Sequence, residues 1–203
     1  MILGKKQPEF DSSLLYDYDA INKTYVLNIA LKSFKELYNN WDYSPQRKRD
    51  INENLIRYIE ECSVEIPIKR KVAIHLYLPA GKSDETREKE GRLALKSYFD
   101  YLRYKKIQQK NKYMKNASMY GLSGILLLSL AYFLQSLSLE KYYVPILPEG
   151  LFIGGWVLFW EVFSIIFFRV SEIKKSIREY NRLRESEITY HFGRVFPLVI
   201  RND

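Results

Sequence analysis

Two long apolar runs near the middle of the chain separate segments in which apolar and charged residues are mixed. Residues 116–139 contain no charged side chain, and residues 150–168 contain one, Glu161. About 20 apolar residues are enough for a helix to cross the hydrocarbon core of a bilayer. The segment between the runs, 140–149, is too short to form a domain. The pattern therefore predicts a membrane α-helical hairpin whose two transmembrane helices are joined by a short external loop.

The segments on either side of the hairpin have the period of β-strands in four places. Apolar and polar residues alternate at 24–31 and 72–78, and shorter strand-like runs lie at 187–192 and 195–200. A two-stranded ribbon is marginally stable by itself, so the strands before and after the hairpin are expected to share a sheet. This predicts one small cytoplasmic α+β domain built from both ends of the chain.

Helical spacing accounts for most of the remaining residues outside the hairpin. It predicts a short helical piece at 33–39 and a second helix that is capped by Asp50 and runs to about residue 63. A long charged helix begins near Asp84 and reaches the first span without a proline. Another charged helix, at 171–184, follows the second span.

These predictions divide the chain into six parts. The parts are a loose N-terminal arm at 1–19, a cytoplasmic α+β domain with a long pre-membrane helix at 20–115, the first transmembrane helix at 116–139, the external loop at 140–149, the second transmembrane helix at 150–168, and a cytoplasmic helix with strands that complete the α+β domain at 169–203.

Positive charge is concentrated beside the two predicted spans. Six Lys and Arg residues lie in 103–115 and six in 169–184, whereas the loop contains only Lys141. An excess of Lys and Arg marks the cytoplasmic side of a membrane, so both termini are expected in the cytoplasm. The flanks also predict contact with anionic lipid head groups. This accounts for much of the net charge of +8, and we do not expect nucleic acid among the partners.

The sequence contains no recognisable catalytic or cofactor motif, such as a phosphate-binding glycine loop or a G-x-S-x-G elbow. His75 and His191 have no Cys or carboxylate at metal-ligand spacing, so a structural role is favoured, with His75 kept as a candidate functional residue. Turn formation and capping explain Asp42, Ser44 and Asp50, with a ligand site as the alternative. We therefore expect no enzymatic activity, no cofactor and no metal.

Glu161 is the residue whose predicted position costs most. An acid near the centre of a transmembrane helix costs about 2.5–3.5 kcal/mol on insertion. It is either functional, or protonated or hydrogen-bonded to Ser129 or Tyr132 of the other span. Small residues four positions apart favour close packing of the spans. They are Ala117 with Gly121, and Gly150 with Gly154.

Four groups of short motifs lie along the chain between about residues 24 and 192. They are Asp42-Tyr43-Ser44-Pro45 with Arg49-Asp50, Ile74-His75-Leu76-Tyr77-Leu78-Pro79, Tyr98-Phe99, and the run from Glu149-Gly150-Leu151 through Gly155-Trp156-Val157 to Trp160-Glu161. In order and spacing they resemble a family of uncharacterised bacterial two-span integral membrane proteins. Tyr43 replaces a usual proline of that family, and relatives often carry a basic residue where Glu161 stands. The resemblance implies the architecture and supplies no activity.

The sequence thus predicts a non-enzymatic protein of the bacterial inner membrane, in which a helical hairpin anchors a small cytoplasmic interaction or sensing domain. We expect it to self-associate or to bind a cytoplasmic protein partner. The alternative is an oligomeric pore or channel effector gated by the cytoplasmic domain. Because two spans cannot enclose a pore, this alternative requires a ring of subunits. An enzyme acting on lipid is a third class, with little in the sequence to favour it.

Overall fold

The computed structural model describes residues 15–42, 50–81, 83–136 and 146–193. Four predictions lie wholly or largely outside these residues. They concern the N-terminal arm at 1–19, Ser44, the strand at 195–200 and the external loop at 140–149.

The chain divides into two compact units. The first is built from Met1–Leu102 and Arg178–Asp203, and the second from Arg103–Ile177. The first contains the β-sheet and the larger hydrophobic core, and the second contains most of the apolar helical sequence. The fold therefore combines a small α+β unit with a pair of long apolar helices.

The first unit contains a four-stranded sheet in the order β1-β2-β3-β4. Its strands are β1 (Asp17–Asp19), β2 (Thr24–Ala30), β3 (Lys71–Leu78) and β4 (Glu187–Phe192). β1 is antiparallel to β2, and the other two pairs are parallel. β1 corrects the prediction that 1–19 is a loose arm throughout. Its end is ordered by Asp19, whose carboxylate accepts the backbone N–H groups of Ile21 and Asn22 and so turns the chain into β2.

The helical segments follow the predicted order with different boundaries. They are a 3₁₀-helix at Phe34–Leu37, α1 (Glu53–Glu65), α2 (Glu85–Ser136), α3 (Ile146–Ser164), a π-helical turn at Ile165–Arg169, and α4 (Val170–Glu185). The N-cap of α1 is Asn52, whose side chain accepts the N–H of Asn54 at 3.0 Å. The prediction that Asp50 caps this helix is wrong. Ile51 forms an antiparallel β-bridge with Tyr38, so the helix begins only after Ile51.

The core of the first unit lies on one face of the sheet. Along each strand, every second side chain points to this face, and all strand residues of the core are of this set. Leu27, Ile74 and Ile188 are examples from three neighbouring strands. Helices α1, α2 and α4 contribute the facing side chains, including Ile59, Phe99 and Leu183. The opposite face of the sheet contributes nothing to this core. Five residues of this opposite face form the polar strip described below.

Two helices are long and apolar enough to cross a membrane. Glu85–Ser136 and the continuous helical stretch Ile146–Glu185 each contain an 18-residue window, with mean hydropathies of 1.7 and 2.0. Only 17% and 11% of these windows are buried within the described structure. The core helix of a soluble protein is mostly buried, whereas these two windows are mostly exposed.

The two apolar helices come close together at Gly124 and Gly155, a pair of glycines that the spacing of small residues does not indicate. A Cβ atom added to Gly155 would lie 3.2 Å from the carbonyl oxygen of Gly124 and 2.7 Å from the side chain of Leu128. A Cβ atom added to Gly124 would likewise lie 3.2 Å from the Gly155 oxygen. A side chain at Gly155 would therefore force Leu128 to move, and one at Gly124 would crowd the Gly155 carbonyl oxygen.

The predicted small-residue pairs contribute less to this packing. Ala117 is buried, and Gly121 and Gly154 face side chains of the other apolar helix at ordinary distances of 3.9 and 3.6 Å. A Cβ atom at Gly150 would meet nothing within 4 Å. The prediction that Gly150 packs against the other span is therefore wrong for the described structure.

Candidate functional site

A strip of polar and aromatic side chains lies on the open face of the sheet. We call Asp17, Asn28, Tyr77, His191 and His75 the polar strip. Strand alternation places all five on the side opposite the core, and the parallel register sets Asn28 beside His75 and Tyr77 beside His191. The strip draws on all four strands, and it brings together His75 and His191, the two histidines of the sequence, from β3 and β4.

Contacts link the members of the polar strip in a continuous series. The Asn28 amide donates to Oδ2 of Asp17 at 2.5 Å, and the Tyr77 hydroxyl donates to Oδ1 of Asn28 at 3.3 Å. The Tyr77 and His191 rings stack with centroids 4.9 Å apart. The His191 and His75 rings lie 4.8 Å apart. The arrangement presents a carboxylate, an amide and three ring systems on one surface.

The strip is partly desolvated, and this affects one titratable group. Burial lowers the pKa of His75 below its ordinary value, and the neighbouring His191 lowers it further. Glu187 and Asp17 act in the opposite direction on the same pKa, with smaller effect. His75 therefore favours its neutral form, in which one ring nitrogen donates and the other accepts a hydrogen bond.

Hydrogen bonds to neighbouring side chains hold two members of the strip. The Asn28 amide lies between Asp17 and Tyr77, and Nε2 of His191 lies 3.3 Å from the Thr189 hydroxyl. Among the described residues, no three His, Cys, Asp or Glu side chains are placed to hold a metal ion.

Of the five residues in this strip, the sequence predicts only His75 as a candidate functional residue. It favours a structural role for His191 and predicts no functional role for Asp17, Asn28 or Tyr77. Alternation in β2 and β3 places Asn28, His75 and Tyr77 on the polar face, so that signal was present. It could not show which strands are neighbours.

The acidic turn between β2 and α1 has a structural explanation in the described residues. Oδ2 of Asp42 accepts the backbone N–H of Asp50 at 2.7 Å. This bond closes the connection whose intervening residues, including Ser44, lie outside the described part of the chain. The two aspartates are brought together by this contact between the Asp42 carboxylate and the Asp50 backbone.

Glu161 in the second predicted span is paired with Arg169. Its Oε1 lies 3.4 Å from Nη2 of Arg169, with side-chain exposures of 39% and 51%. Eight residues of regular α-helix would leave the two positions about 80° apart. The intervening π-helical turn, which is wider than an α-turn, brings them toward one side.

This pairing corrects the expected partners of Glu161. Ser129 and Tyr132 were proposed as hydrogen-bond partners from their depth, yet both are exposed, Tyr132 by 75%. The partner comes instead from the same continuous helix. A long arginine side chain can reach back toward the span from the flank, which shortens the distance between the acid and its counter-charge.

Comparison of the chain with family models, with curated proteins and with solved structures gives no match. The polar strip of the first unit and the Glu161–Arg169 pair of the second are the two arrangements from which a function can be inferred.

Proposed function

We propose that the protein is a non-enzymatic protein of the bacterial inner membrane, in which a helical hairpin anchors a small cytoplasmic domain that binds another protein. The observation that carries this proposal is the parallel pairing of β3 with β4. Parallel neighbours need a crossover connection, usually one helix. Here the crossover, from Leu78 to Glu187, contains both apolar helices. The sheet is therefore complete only after the chain has passed through the hairpin and returned.

The polar strip is the surface through which we propose that the domain binds its partner. The helices of the first unit pack on the other face, so the strip is the part of the sheet left for an external contact. A protein is the partner that fits best, because the strip combines rings with hydrogen-bonding groups and lacks the positive charge that nucleic acid requires.

Crosslinking at the open face can test this assignment. A photoreactive amino acid at Ala30, an exposed residue next to Asn28 on the same face, should give a defined crosslinked product in cells. Leu93, an exposed residue of α2, is the matched control position. A product at Leu93 of equal yield, or none at Ala30, would argue against the strip as the binding surface.

The proposed topology places both termini in the cytoplasm, as the flanking cations indicate. Cys62 is the only cysteine, so a Cys62→Ser background carries no other thiol. Tyr143→Cys should react with a membrane-impermeant reagent in intact cells whose outer envelope is permeable to it. Lys89→Cys should react only after lysis. The opposite labelling pattern would show that the orientation in the membrane is the reverse of the one proposed.

The alternative function is an oligomeric pore, and Glu161 is the observation that favours it. An acid with 39% of its side chain exposed in a span could line an aqueous path once several copies assemble. Subunit counting in nanodiscs separates the two functions, because a monomer removes the pore. If a ring forms, Glu161→Gln and Glu161→Leu should change ion flux in liposomes. Equal flux in all three forms would leave the acid as the partner of Arg169 alone.

A further inference from the structure

The flanks of the two apolar helices meet at Tyr113 and Arg169. The Arg169 guanidinium lies 5.7 Å from the centroid of the Tyr113 ring. Next to this contact, Ala117, Ile165 and Val170 form a small buried cluster against which Tyr113 is packed. The Tyr113 ring and the Glu161 carboxylate therefore both lie against the guanidinium. Tyrosine and arginine are typical of the head-group level of a membrane.

The surroundings of Arg169 are strongly cationic. Residues 103–115 contain six Lys and Arg and no acid, and residues 169–177 contain three Lys and Arg and one acid, Glu172. Lys110 and Lys106 lie three and seven positions before Tyr113, which places them on the same side of α2. Both are half-buried, whereas the lysines at 105, 112 and 115 are exposed.

We propose that Arg169, together with Lys106 and Lys110, binds the phosphate group of an anionic phospholipid. This inference rests on the proposed membrane location. A guanidinium has five N–H donors, and its contact with Glu161 joins a single nitrogen to a single oxygen. A phosphate can therefore be held by the remaining donors, in the paired geometry that arginine favours. The lysines add charge without demanding a fixed geometry.

Glu161 and the phosphate then share one guanidinium. The carboxylate competes for Arg169 and also repels the phosphate. Removing the charge of Glu161 should consequently strengthen lipid binding, while removing the charge of Arg169 weakens it. This opposite response of two contacting residues is the distinctive expectation of the site, since a merely structural ion pair would be damaged by either change.

Native mass spectrometry of the full-length protein released from nanodiscs can measure the retained lipid. With equal phosphatidylglycerol and phosphatidylcholine, the wild type should retain phosphatidylglycerol selectively. Arg169→Gln should lose this retention about tenfold, as expected for one charge-assisted contact. Lys110→Gln should lose less, and Glu161→Gln should gain. Lys112→Gln and Lys174→Gln, exposed cations of the same flanks, are the matched controls.

Equal losses in the Lys112→Gln control and in Arg169→Gln would show diffuse attraction to the basic flanks and overturn the site. Displacement of the lipid by inorganic phosphate at equal concentration would make free phosphate the ligand and overturn the lipid assignment. Arg169→Lys keeps the charge and removes the paired donors, so it should retain less lipid than the wild type and more than Arg169→Gln. A protein that is soluble without detergent and does not enter nanodiscs would instead refute the membrane anchoring itself.

Discussion

Arg182 on α4 donates from Nη2 to both the carbonyl oxygen and the hydroxyl of Ser63 at the end of α1, 119 residues earlier in the chain. Its Nη1 donates to the carbonyl oxygens of Ile66 and Pro67 at 3.1 and 2.9 Å. The last carbonyls of a helix lack partners within the helix. A residue that follows the hairpin therefore completes a helix that precedes it.

Replacing Arg182 should destabilise the first unit substantially. Arg182→Gln removes several hydrogen bonds from a charged donor to part-buried oxygens of Ser63, Ile66 and Pro67, so we expect a loss of about 2–4 kcal/mol in the free energy of unfolding. Pulse proteolysis of the full-length protein in urea can measure it. Arg184→Gln is the control, because Arg184 forms only exposed ion pairs with Asp100 and Glu185 and should cost less than about 1 kcal/mol. Similar losses for both variants would contradict the capping role.

Removing β4 should loosen the N-terminal part of the sheet. A chain ending after Arg184 lacks the strand that pairs with β3 and the buried Ile188, so residues 20–80 should be cut faster in limited proteolysis. A chain ending after Gly193 keeps β4 and is the matched control. If residues 20–80 resist the protease equally in both truncated proteins, β4 contributes nothing to the stability of the sheet.

The contact between Gly124 and Gly155 should not tolerate a methyl group. Gly155→Ala places its Cβ 2.7 Å from Leu128, so the helices must separate or the leucine must move, at a cost of about 1–3 kcal/mol. Unfolding by SDS in mixed micelles can measure the difference. Gly150→Ala, where the same atom meets open space, should match the wild type. An equal effect at both positions would show that helix propensity, rather than contact, decides.

The stability of the first unit should fall as the solution becomes acidic, with His75 contributing. Because burial and His191 lower the pKa of His75 in the folded state, the unfolded chain binds its proton first as pH falls through about 6.5. The part of the stability that depends on neutral His75 is therefore fully present above that pH and is lost as the pH falls below it. The urea midpoint, measured between pH 8 and pH 5, should fall less steeply for His75→Gln than for the wild type. Parallel slopes for the two proteins would contradict this assignment.

The elements with a local signal could be predicted from the amino-acid sequence. The apolar runs fall on the two long helices, and alternation marks β2, β3 and β4, because a period is visible within a few residues. The candidate His75 was also within reach, since alternation places it on the polar face of β3. The predicted N-cap, Asp50, lies two residues before the observed N-cap, Asn52, because the bridge between Tyr38 and Ile51 delays the start of the helix.

The pairing of distant segments could not be predicted from local patterns and became visible in the folded structure. No period within β3 or β4 shows that they are parallel neighbours, and so none shows that His75 lies beside His191. The same holds for Gly124 against Gly155, where the distance between two backbones, rather than the spacing along one helix, decides the contact. Glu161 was recognised from its cost, but its partner depended on a π-helical turn that rotates Arg169 toward it. Local sequence determines the elements, whereas pairing across more than 100 residues depends on the packing free energy of the whole unit.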